Sequence, residues 1–483
     1  MKTKMILPCD QCASAASSLY IPSNTMYRIV VFCSIIRKQN NTTHCMKNSV
    51  FIKTFGCQMN EYDSYRMLKL LESSGYTAAA SYDEASVILI NTCSVREKAE
   101  VKAYSELGVL KQLKRNNPEL IIGIAGCIAQ QEGKKLLGKY PQLDMVIGTY
   151  ALTKIPALLS QIRGRRQKIV CTDMNGAEMY PAGSYVPEKQ QITSFVSIMQ
   201  GCENYCSYCI VPFVRGPERS REMAEIVDEV CHLSESGIKE VTLLGQNVNS
   251  YGRTLLPQRT FPELLAAINA IPNLERIRFT TSHPKDLSPE LIEAFRDLDK
   301  LCEHIHLPLQ SGSDRVLRRM NRKYTAAEYL NKIAALRKVV PDISITSDMI
   351  VGFPGETEED FQATLDAVAE VGFDDLFFFR YSDRPGTKAS GFPDKVPYDI
   401  MIQRLTTLKD RQTEISTAKN RQLLGMILPV LFQEKSKRSP EHLAGRTRTN
   451  KVVNSRAPER IIGTTALVKI ERAHIHSLSG KLL

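Results

Sequence analysis

The chain has 483 residues, of which 43% are hydrophobic and 24% are charged, so it is long enough for about three ordinary globular domains. No apolar run approaches the roughly 20 residues of a membrane-spanning helix, which argues against a membrane protein. The 13 cysteines have no secretory apolar region before them, so we expect free thiols in the reducing cytoplasm rather than a disulfide framework. The formal net charge of +11, with many cations after residue 430, favours a polyanionic partner.

Residues 1–45 lack the regular patterning of the rest of the chain. They contain scattered cysteines and apolar runs that are too short for a signal peptide. Because Met46 stands directly before the first well-patterned strand, we interpret residues 1–45 as an over-extended start or a disordered leader. A redox or metal pair formed by Cys9 and Cys12 is the alternative, but nothing around these two residues suggests a fold.

Residues 46–162 alternate short apolar strands with helical stretches. The predicted strands lie at 50–55, 86–91, 120–125 and 145–147. This alternation predicts a doubly wound α/β unit with a parallel sheet.

Three cysteines in this unit share one structural position. Cys57, Cys93 and Cys127 each lie just past the carboxyl end of a predicted strand. In open parallel sheets that edge is where ligands bind, and it brings residues from distant parts of the chain together. A single such cysteine would be an ordinary buried thiol. Three of them at one edge favour a metal cluster.

Residues 163–193 contain Gly, Pro and Asn turns with little periodicity, which predicts a linker, or a small hairpin, that joins two domains. From residue 194 to 424, strand-like and helix-like segments alternate again. The six predicted strands lie at 194–199, 240–244, 275–280, 304–308, 343–350 and 375–381. Six such units suit an open, partial (β/α)6 barrel, whose active site would lie at the carboxyl ends of the strands.

Three more cysteines, Cys202, Cys206 and Cys209, follow the first of these strands with the spacing C-x3-C-x2-C. Three thiolates on one short loop suit a four-iron cluster, because each sulfur can reach a different iron and one iron is left open for another ligand. A zinc ion would need a fourth Cys or His close by, and the first histidine downstream is His232. The loop therefore favours an iron–sulfur cluster over zinc or a disulfide.

The same loop resembles the signature of the S-adenosylmethionine (SAM) radical enzymes, including the aromatic Tyr208 before its last cysteine. The wider run from Ser197 through Gly216 to Arg221 resembles the methylthiotransferases of that superfamily. This resemblance implies SAM and two [4Fe-4S] clusters as cofactors. The cluster on the C-x3-C-x2-C loop would bind SAM and generate a 5′-deoxyadenosyl radical. An auxiliary cluster on the three strand-end cysteines would present the sulfur.

Further residues at the strand ends of the predicted barrel suit SAM binding. The residues that we expect to contribute are Tyr208, Gln246, Asn247, Gly352, Pro354, Gly355 and Glu356. Glycines allow a ligand to approach the backbone closely. The last four residues would also suit an ordinary turn before a helix.

Charged side chains near the cluster loop are also candidates. Arg215, Arg219 and Arg221 follow the loop and could neutralise a SAM carboxylate or an RNA phosphate, or could simply be solvated; we favour the functional interpretation. His283 and His306 could act as acids or bases, but a hydrogen-bonded structural histidine is the more common outcome.

Short strands separated by Gly and polar turns predict a small β-barrel over residues 425–483. This segment resembles the TRAM domain, an RNA-binding module. We expect Arg446, Arg448 and Lys451 to contact RNA phosphates from its basic loop. The alternative is a β-barrel with a solvated basic face.

The resemblance covers about residues 49–472. Because 245–249 and 281–284 resemble the subgroup that acts on isopentenylated adenosine, it implies methylthiolation at C2 of N6-isopentenyladenosine beside the tRNA anticodon. The alternatives are methylthiolation of threonylcarbamoyl-adenosine in tRNA or of a ribosomal-protein aspartate, and a non-catalytic iron–sulfur protein that binds RNA. We further expect a monomer that receives electrons from a flavodoxin or ferredoxin and depends on sulfur and iron–sulfur supply proteins.

Overall fold

The computed structural model describes residues 48–95, 97–174, 191–437 and 439–483. The predicted leader at 1–45 lies outside the described residues, as does the 175–190 part of the predicted linker. Within the described part of the chain, no helix has the length and apolar character needed to cross a membrane.

The amino-terminal unit is a six-stranded parallel sheet with helices on both faces. Its strands are β1 (Ser49–Phe55), β2 (Thr77–Ala78), β3 (Val87–Thr92), β4 (Ile121–Gly126), β5 (Met145–Ile147) and β6 (Ile169–Cys171). Its helices are α1 (Gln58–Ser73), α2 (Glu97–Asn116), α3 (Cys127–Glu132), α4 (Lys135–Lys139) and α5 (Ile155–Gly164). The structure confirms the predicted doubly wound sheet.

The order of the strands is β2-β1-β3-β4-β5-β6. Across the sheet, β2 is therefore added on one side of β1, and the strands from β3 onward are added on its other side. The point where the direction reverses, between β1 and β3, opens a crevice at the carboxyl ends of the strands. One apolar cluster covers each face of the sheet; Met67 and Ile155 belong to one, and Leu107 and Ile124 to the other.

The sheet includes a strand in the segment that the sequence analysis assigned to a linker. Strand β6 pairs in parallel with β5, with Met145 opposite Ile169 and Ile147 opposite Cys171. The prediction of a linker from residue 163 is wrong over this stretch. A strand of three residues is too short to show a hydrophobic period in the sequence.

The central unit is an open barrel of parallel strands. Its strands are β7 (Thr193–Ser197), β8 (Met199–Gln200), β9 (Arg219–Ser220), β10 (Glu240–Leu244), β11 (Arg276–Phe279), β12 (His304–His306), β13 (Ser344–Val351) and β14 (Asp375–Arg380). Its helices are α6 (Val211–Arg215), α7 (Met223–Glu235), α8 (Phe261–Asn269), α9 (Pro289–Asp297), α10 (Asp314–Arg319), α11 (Ala326–Val339) and α12 (Glu358–Val371).

Six of these strands form the barrel wall, as two parallel three-stranded sheets with the orders β7-β10-β11 and β12-β13-β14. A parallel bridge between Ile277 and Leu301 joins the two sheets. One apolar core lies between the wall and its helices and includes Val241, Ile305 and Ile345 from different strands. The predicted partial (β/α)6 barrel is confirmed.

A long helix, α13 (Tyr398–Arg421), leads from the barrel to the carboxyl-terminal unit. The strands of that unit are β15 (Ile427–Lys435), β16 (His442–Thr447), β17 (Val452–Arg456), β18 (Thr465–Ala473) and β19 (Leu478–Leu482). They close into a small barrel in the order β15-β16-β17-β19-β18. Its interior is filled by apolar side chains such as Phe432, Val453 and Ile470. The small β-barrel predicted here is confirmed.

Candidate active site

The three strand-end cysteines lie side by side at the crevice of the amino-terminal sheet. Phe55 pairs with Thr92, and Thr92 pairs with Gly126, so the three strands end at the same level. Cys57 caps the amino terminus of α1, and Cys127 is the first residue of α3. This placement directs three thiols from three neighbouring strand ends into one region.

Electrostatics at this edge favours a thiolate. A hydrogen bond from the Cys93 side chain lowers the pKa of Cys57 to about 6, although burial opposes the shift. A thiol with this pKa is largely ionised at neutral pH, and the thiolate is the form that binds metal. Burial raises the pKa of Cys127, and the charge of Arg215 partly offsets that effect.

The second cysteine trio lies on the loop after β8. Two hydrogen bonds fix the start of this loop. The backbone N–H of Gly201 donates to Oε1 of Gln246 (2.5 Å), and the backbone N–H of Cys202 donates to the carbonyl of Gly216 (3.1 Å). A tight turn follows, in which the N–H of Cys209 donates to the carbonyl of Cys206 (2.9 Å).

Burial disfavours ionisation of two thiols in the second trio. It raises the pKa of Cys202 to about 11 and that of Cys209 to about 12. Metal binding at this loop must therefore displace protons, as it does at thiol ligand sites in general.

Both trios face one cavity of about 1770 Å³ between the amino-terminal sheet and the open barrel. The six cysteines that line it are Cys57, Cys93, Cys127, Cys202, Cys206 and Cys209. Among the described residues, no group of three or more His, Cys, Asp and Glu side chains is arranged to hold a single metal ion.

Two of the residues predicted to bind SAM, Tyr208 and Gln246, line this cavity. The ring of Tyr208 packs edge-on against Phe353, with the ring centroids 6.5 Å apart. Asn247 is buried, and its Nδ2 donates to Oδ2 of Asp286 (2.8 Å). Asn247 therefore stabilises the loop after β10, while Gln246 contacts the cluster loop directly.

The turn after β13 lies outside the lining of the cavity, within the described residues. Gly352 faces the side chain of Met401 on α13, and its N–H donates to Oε2 of Glu356 (2.7 Å). Burial raises the pKa of Glu356 to about 7, although its ion pair with Arg404 (2.8 Å) opposes the shift. The expectation that Gly352, Pro354, Gly355 and Glu356 contact SAM stays a prediction.

The same turn also leads into a capped helix. Thr357 caps α12 and forms a capping box with Asp360. Ile350, at the end of β13, lines the cavity instead. A glycine-rich turn before a capped helix was the structural alternative that the sequence left open.

Two of the three arginines after the cluster loop, Arg215 and Arg221, are engaged in buried ion pairs, whereas Arg219 is exposed. Arg215 pairs with Asp63 (2.6 Å), and both side chains are about 5% exposed or less. Arg221 pairs with Glu229 (2.8 Å), which is also buried. These ion pairs hold the cluster loop in place, and Arg215 also lines the cavity beside the strand-end trio.

The two histidines differ in their surroundings. Burial lowers the pKa of His283 to about 2, and its ring accepts from the N–H of Lys285 (3.2 Å), so this histidine lines the cavity as a neutral ring. His306 lines the cavity, where Nδ1 lies 3.0 Å from Oγ1 of Thr346. Its ring packs edge-on against Phe377, which is 46% exposed although it lies on a barrel strand.

The three cations predicted to bind RNA lie in the contact between the carboxyl-terminal barrel and the central unit. Arg448 forms an ion pair with Glu303 (2.7 Å), and Lys451 pairs with Asp374 (2.9 Å). The carbonyl of Arg446 accepts from Arg276 (2.6 Å). Arg448 and Lys451 are thus engaged in ion pairs, and Nη1 of Arg446 donates to the carbonyl of Asn450 within its own loop (3.2 Å). The assignment of Arg446, Arg448 and Lys451 to RNA stays a prediction.

Sequence reasoning missed one residue at the second trio. Nη1 of Arg322 donates to Sγ of Cys206 (3.4 Å), and the side chain is buried. The sequence around Arg322, from Met320 to Thr325, has no spacing of residues that would indicate a metal or cofactor site. Only the fold brings it behind the cluster loop.

Three family models match the chain. They are described as the Radical SAM superfamily (residues 196–368), the Uncharacterized protein family UPF0004 (residues 49–148) and the TRAM domain (residues 421–483). One cysteine trio lies within each of the first two matches.

Full-length relatives decide the family. The tRNA-2-methylthio-N(6)-dimethylallyladenosine synthase of Syntrophus aciditrophicus is 48% identical over 437 residues, which cover 90% of this chain and 95% of the relative. The enzyme of the same name from Caldicellulosiruptor saccharolyticus is 47% identical and covers 94% and 97%. The chain belongs to this synthase family.

A solved structure agrees with the fold of the synthase. A radical S-adenosylmethionine methyltransferase from Kitasatospora setae, solved with cobalamin and a [4Fe-4S] cluster, superposes with a TM-score of 0.52. The match covers 71% of this chain and 74% of the other at 14% identity, so it supports the architecture of this synthase and not its substrate.

Proposed function

We infer that this chain is a radical SAM methylthiotransferase that converts N6-isopentenyladenosine in tRNA to its 2-methylthio derivative, at C2 of the adenine beside the anticodon. The observation that carries this conclusion is the 43–48% identity, over about 90% of the chain, to relatives with that activity in their name. Its cofactors are SAM and two [4Fe-4S] clusters.

We propose that each trio of cysteines holds one cluster. Cys202, Cys206 and Cys209 would hold the cluster that binds SAM, and the strand-end trio would hold the auxiliary cluster. When bound, these groups and SAM supply the one-electron and sulfur chemistry that ordinary acid–base catalysis cannot provide at an unactivated C–H bond.

The protein contributes position and exclusion of water. The brace from Gln246 to Gly201 fixes the cluster loop, and the ion pair between Arg215 and Asp63 fixes that loop against the amino-terminal sheet. One shared cavity brings the two trios to the same substrate position. We propose that the adenine enters this cavity next to His306 and Phe377, since an exposed aromatic ring can stack on a base.

The tRNA is the partner supported by the TRAM match and by the family. We propose that a flavodoxin or ferredoxin supplies electrons, that iron–sulfur and sulfur supply proteins load the clusters, and that the enzyme acts as a monomer in the cytoplasm.

The decisive test is the modification itself. Nucleosides from the tRNA of a strain that lacks this gene should contain isopentenyladenosine without its methylthio group, as measured by mass spectrometry, and the intact gene should restore the product. Loss of methylthio-threonylcarbamoyl-adenosine, or of the methylthio group on a ribosomal-protein aspartate, would instead identify one of the alternative substrates.

A non-catalytic iron–sulfur protein would behave differently in vitro. The reconstituted chain with dithionite and SAM should form 5′-deoxyadenosine. The absence of this product at full occupancy of both clusters would refute the enzymatic function.

With Arg448 and Lys451 engaged in ion pairs, we propose that the carboxyl-terminal barrel contacts phosphates through β18 and β19. Lys469 and Lys481 are exposed and pair directly opposite each other on these antiparallel strands. Like charges in this position repel each other. A bound polyanion would relieve that repulsion.

Replacing Lys469 and Lys481 by alanine should weaken tRNA binding and lower the slope of log Kd against log salt concentration by about 2, because about two phosphate contacts are lost. Fluorescence anisotropy at several salt concentrations measures both effects. The matched control removes the same charge from α13 by replacing Lys409 and Arg411, which are exposed. Equal changes in the two double variants would refute the assignment.

A further inference from the structure

One buried cation lies directly behind the C-x3-C-x2-C loop. Arg322 is 7% exposed, and each nitrogen of its guanidinium group has a partner. Nη1 donates to Sγ of Cys206 (3.4 Å), Nη2 to the carbonyl of Pro308 (2.9 Å) and Nε to the hydroxyl of Tyr324 (2.8 Å). These three bonds fix the orientation of the group toward the sulfur.

The charge of Arg322 has no carboxylate partner. Among the described residues, no Asp or Glu oxygen lies within 4.0 Å of its nitrogens, and its hydrogen-bond acceptors are a carbonyl, a hydroxyl and a thiol. A buried charge without a counter-charge costs several kcal/mol. The anionic thiolates of a bound cluster would supply the missing counter-charge.

The auxiliary trio has a different neighbour. Arg215 lies beside Cys127, but its guanidinium is paired with the buried carboxylate of Asp63 at 2.6 Å. The net charge of that pair is zero. The two cluster sites therefore differ by about one positive charge at close range.

We propose that Arg322 raises the reduction potential of the cluster on Cys202, Cys206 and Cys209 above that of the auxiliary cluster, so that an incoming electron goes to the SAM-binding site. Reduction adds one electron from an external donor and makes a cluster more negative. A nearby cation and an N–H···S hydrogen bond stabilise that form, and burial strengthens both effects. This inference rests on the proposed assignment of the clusters.

The test uses two backgrounds of the full chain, each with one trio replaced by alanine so that one cluster remains. Reductive titration of the remaining cluster is followed by electron paramagnetic resonance. In the background that keeps the cluster loop, Arg322→Met should lower the equilibrium constant for one-electron reduction at least tenfold, which corresponds to about 59 mV. Arg322→Lys, which keeps the charge, should cause a smaller shift. In the background that keeps the strand-end trio, Arg322→Met should leave the potential unchanged.

Iron content is measured in every variant, so that loss of a cluster is separated from a change in its potential. Full occupancy with an unchanged potential, or equal shifts of both clusters, would overturn this inference alone. A parent chain that binds no cluster on either trio would overturn the cluster assignment and this inference together.

Discussion

Replacing Arg215 by leucine is expected to destabilise the protein by about 3–5 kcal/mol, because the substitution leaves the carboxyl group of Asp63 buried without its partner. For a folding unit of about 150–250 residues, this decrease in the free energy of unfolding corresponds to a fall of about 6–20 °C in the midpoint of thermal unfolding. The pair joins the cluster loop to α1, so we also expect the amino-terminal sheet to separate from the barrel at lower denaturant concentration. Circular dichroism and limited proteolysis of the metal-free chain measure the two effects.

Two controls show whether the buried charge is the cause. Adding Asp63→Asn to Arg215→Leu removes the orphaned charge and should restore most of the stability. Arg411→Leu breaks an exposed pair with Glu414 on α13 and should change stability by no more than about 1 kcal/mol. A double variant as unstable as the single one would show that packing of Arg215, and not its charge, matters.

The substitution Gly201→Ala is expected to abolish methylthiolation and to remove one cluster. Gly201 has a φ of +85°, and a Cβ there would collide with the backbone carbonyl of Pro217. Neither backbone can move without displacing Cys202. After reconstitution we expect about four irons per chain instead of about eight, with the strand-end trio still loaded.

Gly75→Ala is the matched control for backbone strain. Gly75 has a similar φ of +82°, but no atom lies within 4 Å of the position of its Cβ. This variant should lose about 1 kcal/mol of stability and keep both clusters and full activity. Iron analysis, together with 5′-deoxyadenosine formation, separates the two variants. A Gly201→Ala enzyme with eight irons would contradict the prediction.

Both cysteine sites could be predicted because short-range patterns in the sequence indicate them. Short strands that alternate with helices imply a parallel sheet, and a parallel sheet places its carboxyl ends at one edge. Cys57, Cys93 and Cys127 therefore had to be neighbours once the strands were recognised. The C-x3-C-x2-C loop needs no tertiary information at all.

The charged residues could not be predicted in the same way. The sequence shows that Arg448 and Lys451 are cationic, but their partners Glu303 and Asp374 lie far away in the chain. Whether a cation meets a carboxylate or a phosphate depends on how the barrels pack. The same reason explains why Arg322 was overlooked.

The turn after β13 illustrates a third limit. Glycine at Gly352 and Gly355 permits a ligand to approach, but it permits a protein side chain equally well. In this fold Met401 takes that space at Gly352. A glycine pattern indicates room near the backbone without showing what fills it.

An apolar contact links the cluster loop to the strand-end trio, and it bears on the stability of the free thiols toward oxidation. Cys127 of the strand-end trio packs against Ile210, which directly follows the last cysteine of the other trio, and against Val214 on α6. A disordered cluster loop would therefore uncover Cys127 and expose it to oxidation. An ordered cluster loop therefore protects the thiol of Cys127 from oxidation before a cluster is bound there.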